Sequence, residues 1–94
     1  MIRSWKSDLA KAIFEGRQPG KGFPADLVAP ARRRLAALNA AVFLDDLRTP
    51  RGNRLHPLLG DRRDEWSISV NDQFRITFVW GDNGPEEVWI GDYH

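Results

Sequence analysis

Apolar positions recur at helical spacing through the first half of the chain and then alternate from residue 53 onward. Ile2-Arg-Ser-Trp5 is predicted as a short strand. Ser7 can cap a helix, with Asp8 favourable in its first turn. Leu9, Ala12 and Ile13 follow at helical spacing, and Gly16 is a natural stop. After a Gly/Pro loop over 17–23 that carries Arg17 and Lys21, a second helix is predicted from about Ala25 to Ala41. Its stripe is Val28, Ala31, Leu35, Leu38 and Val42. Pro30 lies inside this stretch and must either kink the helix or sit in the first turn of a new segment. Phe43 to Leu47 can form one further helical turn.

Asn53 to Pro57 is predicted as a short edge strand, because Pro57 cannot donate to a ladder. Trp66, Ile68 and Val70 alternate with Ser67 and Ser69, and Asn71-Asp72 makes a tight turn. Phe74, Ile76, Phe78 and Trp80 then alternate with Arg75 and Thr77. Gly81-Asp-Asn-Gly-Pro85 is a strong turn signal, and Val88 and Ile90 belong to a last strand. The expected order is β-α-α-β-β-β(-β), an α+β domain over residues 1–94 with two main helices on one face of a mainly antiparallel sheet. The large apolar residues form the core face. The other face carries Ser67, Ser69, Arg75 and Thr77, and it is expected to be open. Arg54 and His56 share parity on the preceding strand, so both are expected on one face. Trp89 is out of phase with Val88 and Ile90, which assigns it to the exposed side or an edge.

Composition narrows the class. In 94 residues, 41% are apolar and 29% charged, a globular balance sufficient for one core. No apolar run approaches the ~20 residues of a membrane span, and residues 1–6 have no signal-peptide core. Without cysteine there is no disulfide, thiolate metal site or cysteine nucleophile. The cytoplasm is the expected setting. The net charge of +1 conceals a division: residues 1–63 sum to +7 and residues 64–94 to −6. Eleven of the 14 basic residues are Arg, whose planar fork suits phosphate. A polyanion-binding surface and charges that pair across the fold both fit this division.

Few residues can do chemistry. His56 and His94 can exchange protons near neutral pH, and His94 follows Asp92-Tyr93. Cleaving RNA takes a base for the 2′-OH, an acid for the leaving 5′-oxygen and positive charge on the phosphorane-like transition state. His56, Asp92, Tyr93, His94 and Arg75 could fill those roles. His56 could equally be a histidine satisfied at a strand edge, and His94 a frayed end. No local spacing supports metal binding by His56, His94 and Asp92. Gly16 to Lys21 is one residue short of a phosphate loop and follows a helix rather than a strand. Asp45-Asp46 fits a solvated or Arg-paired turn. Arg32, Arg33 and Arg34 fan around a helix at about 100° per residue, so the three cannot grip one phosphate.

Several linked blocks carry a resemblance across nearly the whole chain. Asn53-Arg-Leu-His-Pro-Leu-Leu-Gly-Asp-Arg62, Trp66-Ser-Ile68, Asn71-Asp-Gln-Phe-Arg-Ile-Thr-Phe78 and Asp92-Tyr-His94 resemble the HigB toxins of the RelE/ParE superfamily, as do Ile2 to Lys6 and Leu38 to Ala41. The resemblance implies a compact RelE/ParE-like fold and a ribosome-dependent endoribonuclease that cuts mRNA in the A site. It implies His56, Asp92, Tyr93 and His94 as catalytic residues. Arg75, Arg54 and Arg62 are the expected substrate-binding residues, Arg75 through its match to the family's Arg-Ile segment. Neither a metal nor another cofactor is expected, because the RNA supplies its own 2′-OH. Implied partners are a HigA-like helix-turn-helix antitoxin, the 70S ribosome and mRNA. Operator DNA is contacted only through the antitoxin, and no membrane is involved.

The chain departs from the family pattern where many relatives carry Lys at the position of Leu59, and where some carry basic residues at Ser69 or Val79. Asp64-Glu65 adds negative charge. Two alternatives therefore stand beside the nuclease. One is a ParE-like gyrase inhibitor. The other is a weakly active toxin that serves mainly as the antitoxin's partner in operator repression.

Overall fold

The computed structural model describes residues 1–60 and 64–92. Two helices and four strands follow in order: α1 (Asp8–Phe14), α2 (Val28–Ala40), β1 (His56–Pro57), β2 (Glu65–Ser69), β3 (Phe74–Gly81) and β4 (Gly84–Asp92). Short 3-10 turns at Ala25–Leu27, Leu44–Arg48 and Arg51–Asn53 join them. The strands form one sheet in the order β1-β2-β3-β4, antiparallel at every step.

Local chemistry accounts for the helices. The Ser7 hydroxyl accepts the Ala10 amide at 3.1 Å, which caps α1. Gly16, at φ +80°, ends that segment in the left-handed region. Pro30 lies in the first turn of α2, where its missing N–H costs nothing. Ala31, Leu35 and Leu38 are buried as expected, but Val42 is 72% exposed. The helix stops at Ala40 and Ala41 is extended, so the helical period no longer applies at Val42. The Asp46 carboxylate instead accepts the amides of Val42 and Phe43, each at 3.0 Å.

Below the helices, Ile13, Leu35 and Leu38 meet Ile68, Ile76, Phe78, Val88 and Ile90 in a single core cluster. Two sequence expectations are corrected at its margins. Residues 2–5 form no full strand: Trp5 makes one parallel bridge to Val88. The edge strand is only His56–Pro57, because Arg51–Asn53 forms a 3-10 turn and Arg54 is left-handed at φ 49°.

A bulge in β4 explains why the amino-terminal segment can attach there. Thr77 pairs with Trp89 but Val79 pairs with Glu86, so Glu87 and Val88 together oppose Phe78. Glu87 has φ 53°. Its amide donates to the Ser4 hydroxyl at 2.8 Å, and Val88 exchanges backbone bonds with Ser4 and Lys6. Among the described residues, no helix is long and apolar enough to cross a membrane.

Candidate active site

The sheet face away from the helices is built in rows. His56, Ser67, Thr77 and Trp89 face one another across β1 to β4. The next row toward the β2–β3 turn is Ser69, Arg75 and Gly91. On the other side of the His56 row stand Glu65, Val79 and Glu86. Directly paired residues share a face, so His56, Arg75 and Trp89 all belong to this one.

This face is not the open hydroxyl surface that the alternation suggested. Ser67 and Thr77 are 0% exposed and Ser69 is 3% exposed. They form a floor, with half-buried His56, Arg75 and Trp89 as their larger neighbours. The Ser69 hydroxyl donates to the Asn71 carbonyl at 2.7 Å. Arg75 Nη1 donates to Ser67 Oγ at 3.4 Å. Its guanidinium therefore reaches the residue directly opposite His56. Thr77 Oγ1 has no hydrogen-bond partner among the described residues.

His56 is held by its own backbone neighbourhood. Its Nδ1 lies 2.9 Å from the Arg54 carbonyl oxygen. A carbonyl only accepts, so Nδ1 carries the proton, and in the uncharged form of the ring the lone pair is on Nε2. The left-handed Arg54 aims that carbonyl, and Asn53 secures the turn before it. Buried Asn53 donates through Nδ2 to the carbonyls of Leu47 and Thr49, at 3.1 and 3.4 Å. Arg54 is thus not a parity partner of His56: it lies outside the strand, and its Nη1 reaches Asp72 at 3.4 Å on the surface.

Asp92 takes a different position. It pairs with Phe74, which packs edge-on against Phe23 in the core. Register therefore places Asp92 at the end of β4 on the helix-bearing side, where Gln73 Nε2 donates to it at 2.8 Å. Arg62, Tyr93 and His94 lie outside the described residues. The structure thus joins His56 and Arg75 across Ser67, uses Arg54 through its backbone, and sets Asp92 beyond Gly91.

Sequence reasoning missed two contributors. Arg34 Nε donates to the Ser69 carbonyl at 3.2 Å, tying α2 to the end of β2 beside Arg75. Asn53 was assigned only to a strand. The available signal was the run Pro50-Arg-Gly-Asn53, whose Pro, Gly and Asn favour a turn over a strand.

A helix pair packed on one face of an antiparallel sheet has the build of the RelE-like toxins. The family model described as the RelE-like toxin of the type II toxin–antitoxin system HigB matches residues 3–94, and the chain belongs to this HigB-like family. It is similar to Endoribonuclease HigB of Proteus vulgaris, with 36% identity over 94 residues and all of both chains covered. It is also similar to Toxin HigB-1 of Vibrio cholerae serotype O1, with 33% identity over 82 residues, 87% of this chain and 86% of the relative.

Proposed function

We propose that the chain is a ribosome-dependent mRNA endoribonuclease, the toxin of a toxin–antitoxin pair, cutting mRNA in the ribosomal A site. The observation that carries this reading is the hydrogen bond from His56 Nδ1–H to the Arg54 carbonyl, with the Arg75 guanidinium one strand away on Ser67. Nε2 of a neutral His56 can take the proton of a substrate 2′-OH. The 2′-oxygen then attacks the adjacent phosphorus, and Arg75 offsets the charge gathering on the phosphoryl oxygens. Donation to the leaving 5′-oxygen is assigned to Tyr93 or His94, because Asp92 belongs to the other side of the sheet. The proposed step draws on side chains and the RNA's own hydroxyl, with no metal in it.

Docking on the ribosome is assigned to the basic first two-thirds of the chain, where Lys11, Arg17, Lys21 and Arg33 are exposed. Such contacts are to phosphate and weaken with salt. The neutralising partner is a HigA-like helix-turn-helix antitoxin, and the setting is the cytoplasm. Cleavage of mRNA on programmed ribosomes tests the reading. His56→Ala should lower the single-turnover rate by about 10²- to 10⁴-fold. Wild-type rates in that variant would remove His56 from the mechanism.

A second reading is favoured by one observation. Leu59, two residues after Pro57, is 85% exposed and uncharged where many relatives are basic. A weakly active toxin retained mainly for operator repression with its antitoxin would look like this. Expression without the antitoxin separates the two, since growth arrest favours an active toxin over one kept for repression.

A further inference from the structure

We propose that Trp89 is a stacking plate for a nucleobase of the single-stranded RNA whose phosphate lies against Arg75. The inference rests on the nuclease reading and adds to it a base-binding subsite.

Four observations carry it. Trp5, Trp66 and Trp80 pack against the core cluster, whereas Trp89 does not belong to it. Trp89 also enters none of the aromatic pairs among the described residues. Its ring is half-buried on the face that carries His56 and Arg75. Second, Gly91 makes room for the ring. A Cβ built at Gly91 would collide with Cζ2 and Cη2 of the indole. The ring therefore lies along β4 toward the Gly91–Arg75 row, where any side chain at position 91 would displace it.

Third, Trp89 and Arg75 are diagonal neighbours across β3 and β4, because Trp89 pairs with Thr77 and Arg75 with Gly91. Such neighbours stand about 7 to 8 Å apart, a span that one nucleotide can bridge from base to phosphate. Fourth, charge gives the strand a direction. Glu65 and Glu86 occupy the row beyond Trp89, and Glu86 folds back over Gly81. A phosphate is repelled from that side and drawn to Arg75. Stacking on an aromatic face tolerates any base, so the plate would hold the RNA in place more than select its sequence.

The test uses 70S ribosomes programmed with mRNA made uncleavable by 2′-deoxy substitution and carrying 2-aminopurine at each A-site position in turn. Wild-type protein should quench the fluorescence at one position. Trp89→Phe should keep most of the quenching, and Trp89→Leu and Gly91→Ala should lose it. In parallel, Trp89→Leu should raise the protein concentration for half-maximal cleavage roughly tenfold, within the range of base–aromatic stacking, with the rate at saturation little changed. Thermal midpoints of the variants check folding. If cleavage follows the midpoint rather than the quenching, Trp89 is only structural and the proposal fails. If the wild type cleaves and Trp89→Leu matches it in quenching and concentration dependence, the stacking plate is overturned while the nuclease stands. If the wild type quenches through Trp89 but does not cleave, the plate stands and the nuclease reading falls. A wild type that neither quenches nor cleaves overturns both.

Discussion

Arg54 shows how one residue acts through its main chain. With φ 49° and ψ 49°, it points its carbonyl at His56 Nδ1. Glycine adopts that conformation freely, whereas a β-branched residue is strained there by roughly 1 to 2 kcal/mol. Nitrogen-15 NMR of the imidazole should therefore show the Nδ1–H tautomer kept in Arg54→Gly and eroded in Arg54→Val. The sequence made the types at this site legible, since His56 and Arg75 are few-choice residues for proton transfer and phosphate binding. It did not reveal that Arg54 leaves the strand. Alternation assumes extended backbone, and the 3-10 turn at Arg51–Asn53 breaks that assumption two residues before His56.

Among the elements, the helices were legible because their signals are local. Ser7, Gly16 and Pro30 each act within one turn, and each does what its chemistry predicts. Ser7→Ala should cost about 1 kcal/mol, seen as a fall of about 4 to 8 °C in the thermal midpoint of a domain this size. The strands were legible in phase and less so in exposure. Period two places Ser67, Ser69 and Thr77 opposite the core correctly, but it says nothing about what lies over them. Their burial comes from larger neighbours on other strands, which only the register brings together.

For the molecule as a whole, the Arg32-Arg33-Arg34 run divides its labour. Arg32 Nε donates to the Ile13 carbonyl at 2.9 Å and joins α2 to α1. Arg34 Nε joins α2 to the sheet at Ser69. Arg33 is exposed and left for solvent or a partner. Charge counting cannot separate these roles, because the split depends on which helix face meets which carbonyl. Arg34→Ala should cost about 1.5 to 3 kcal/mol, the range for a hydrogen bond from a charged group. Arg33→Ala should stay within about 0.5 kcal/mol of wild type. Urea unfolding of the two single variants checks the order. Ribosome affinity should fall in the reverse sense for Arg33, with a shallower dependence on salt.

The bulge at Glu87 makes the β3–β4 hairpin one residue longer than its ladder requires. Take that residue out and Val88 would still fall opposite Phe78, Trp89 opposite Thr77 and Gly91 opposite Arg75. Both sides of the sheet would keep their occupants. What would go is the spare amide that clasps the Ser4 hydroxyl, one of the bonds along the outer margin of β4. Deleting Glu87 should therefore free the Ser4 side chain, while the amides of Arg3 and Lys6, bonded to Pro85 and Val88, stay protected from hydrogen exchange as those of Ile76 and Ile90 do. The surplus residue is one fastener among several for residues 3–6, and the face that carries His56 and Arg75 does not depend on it.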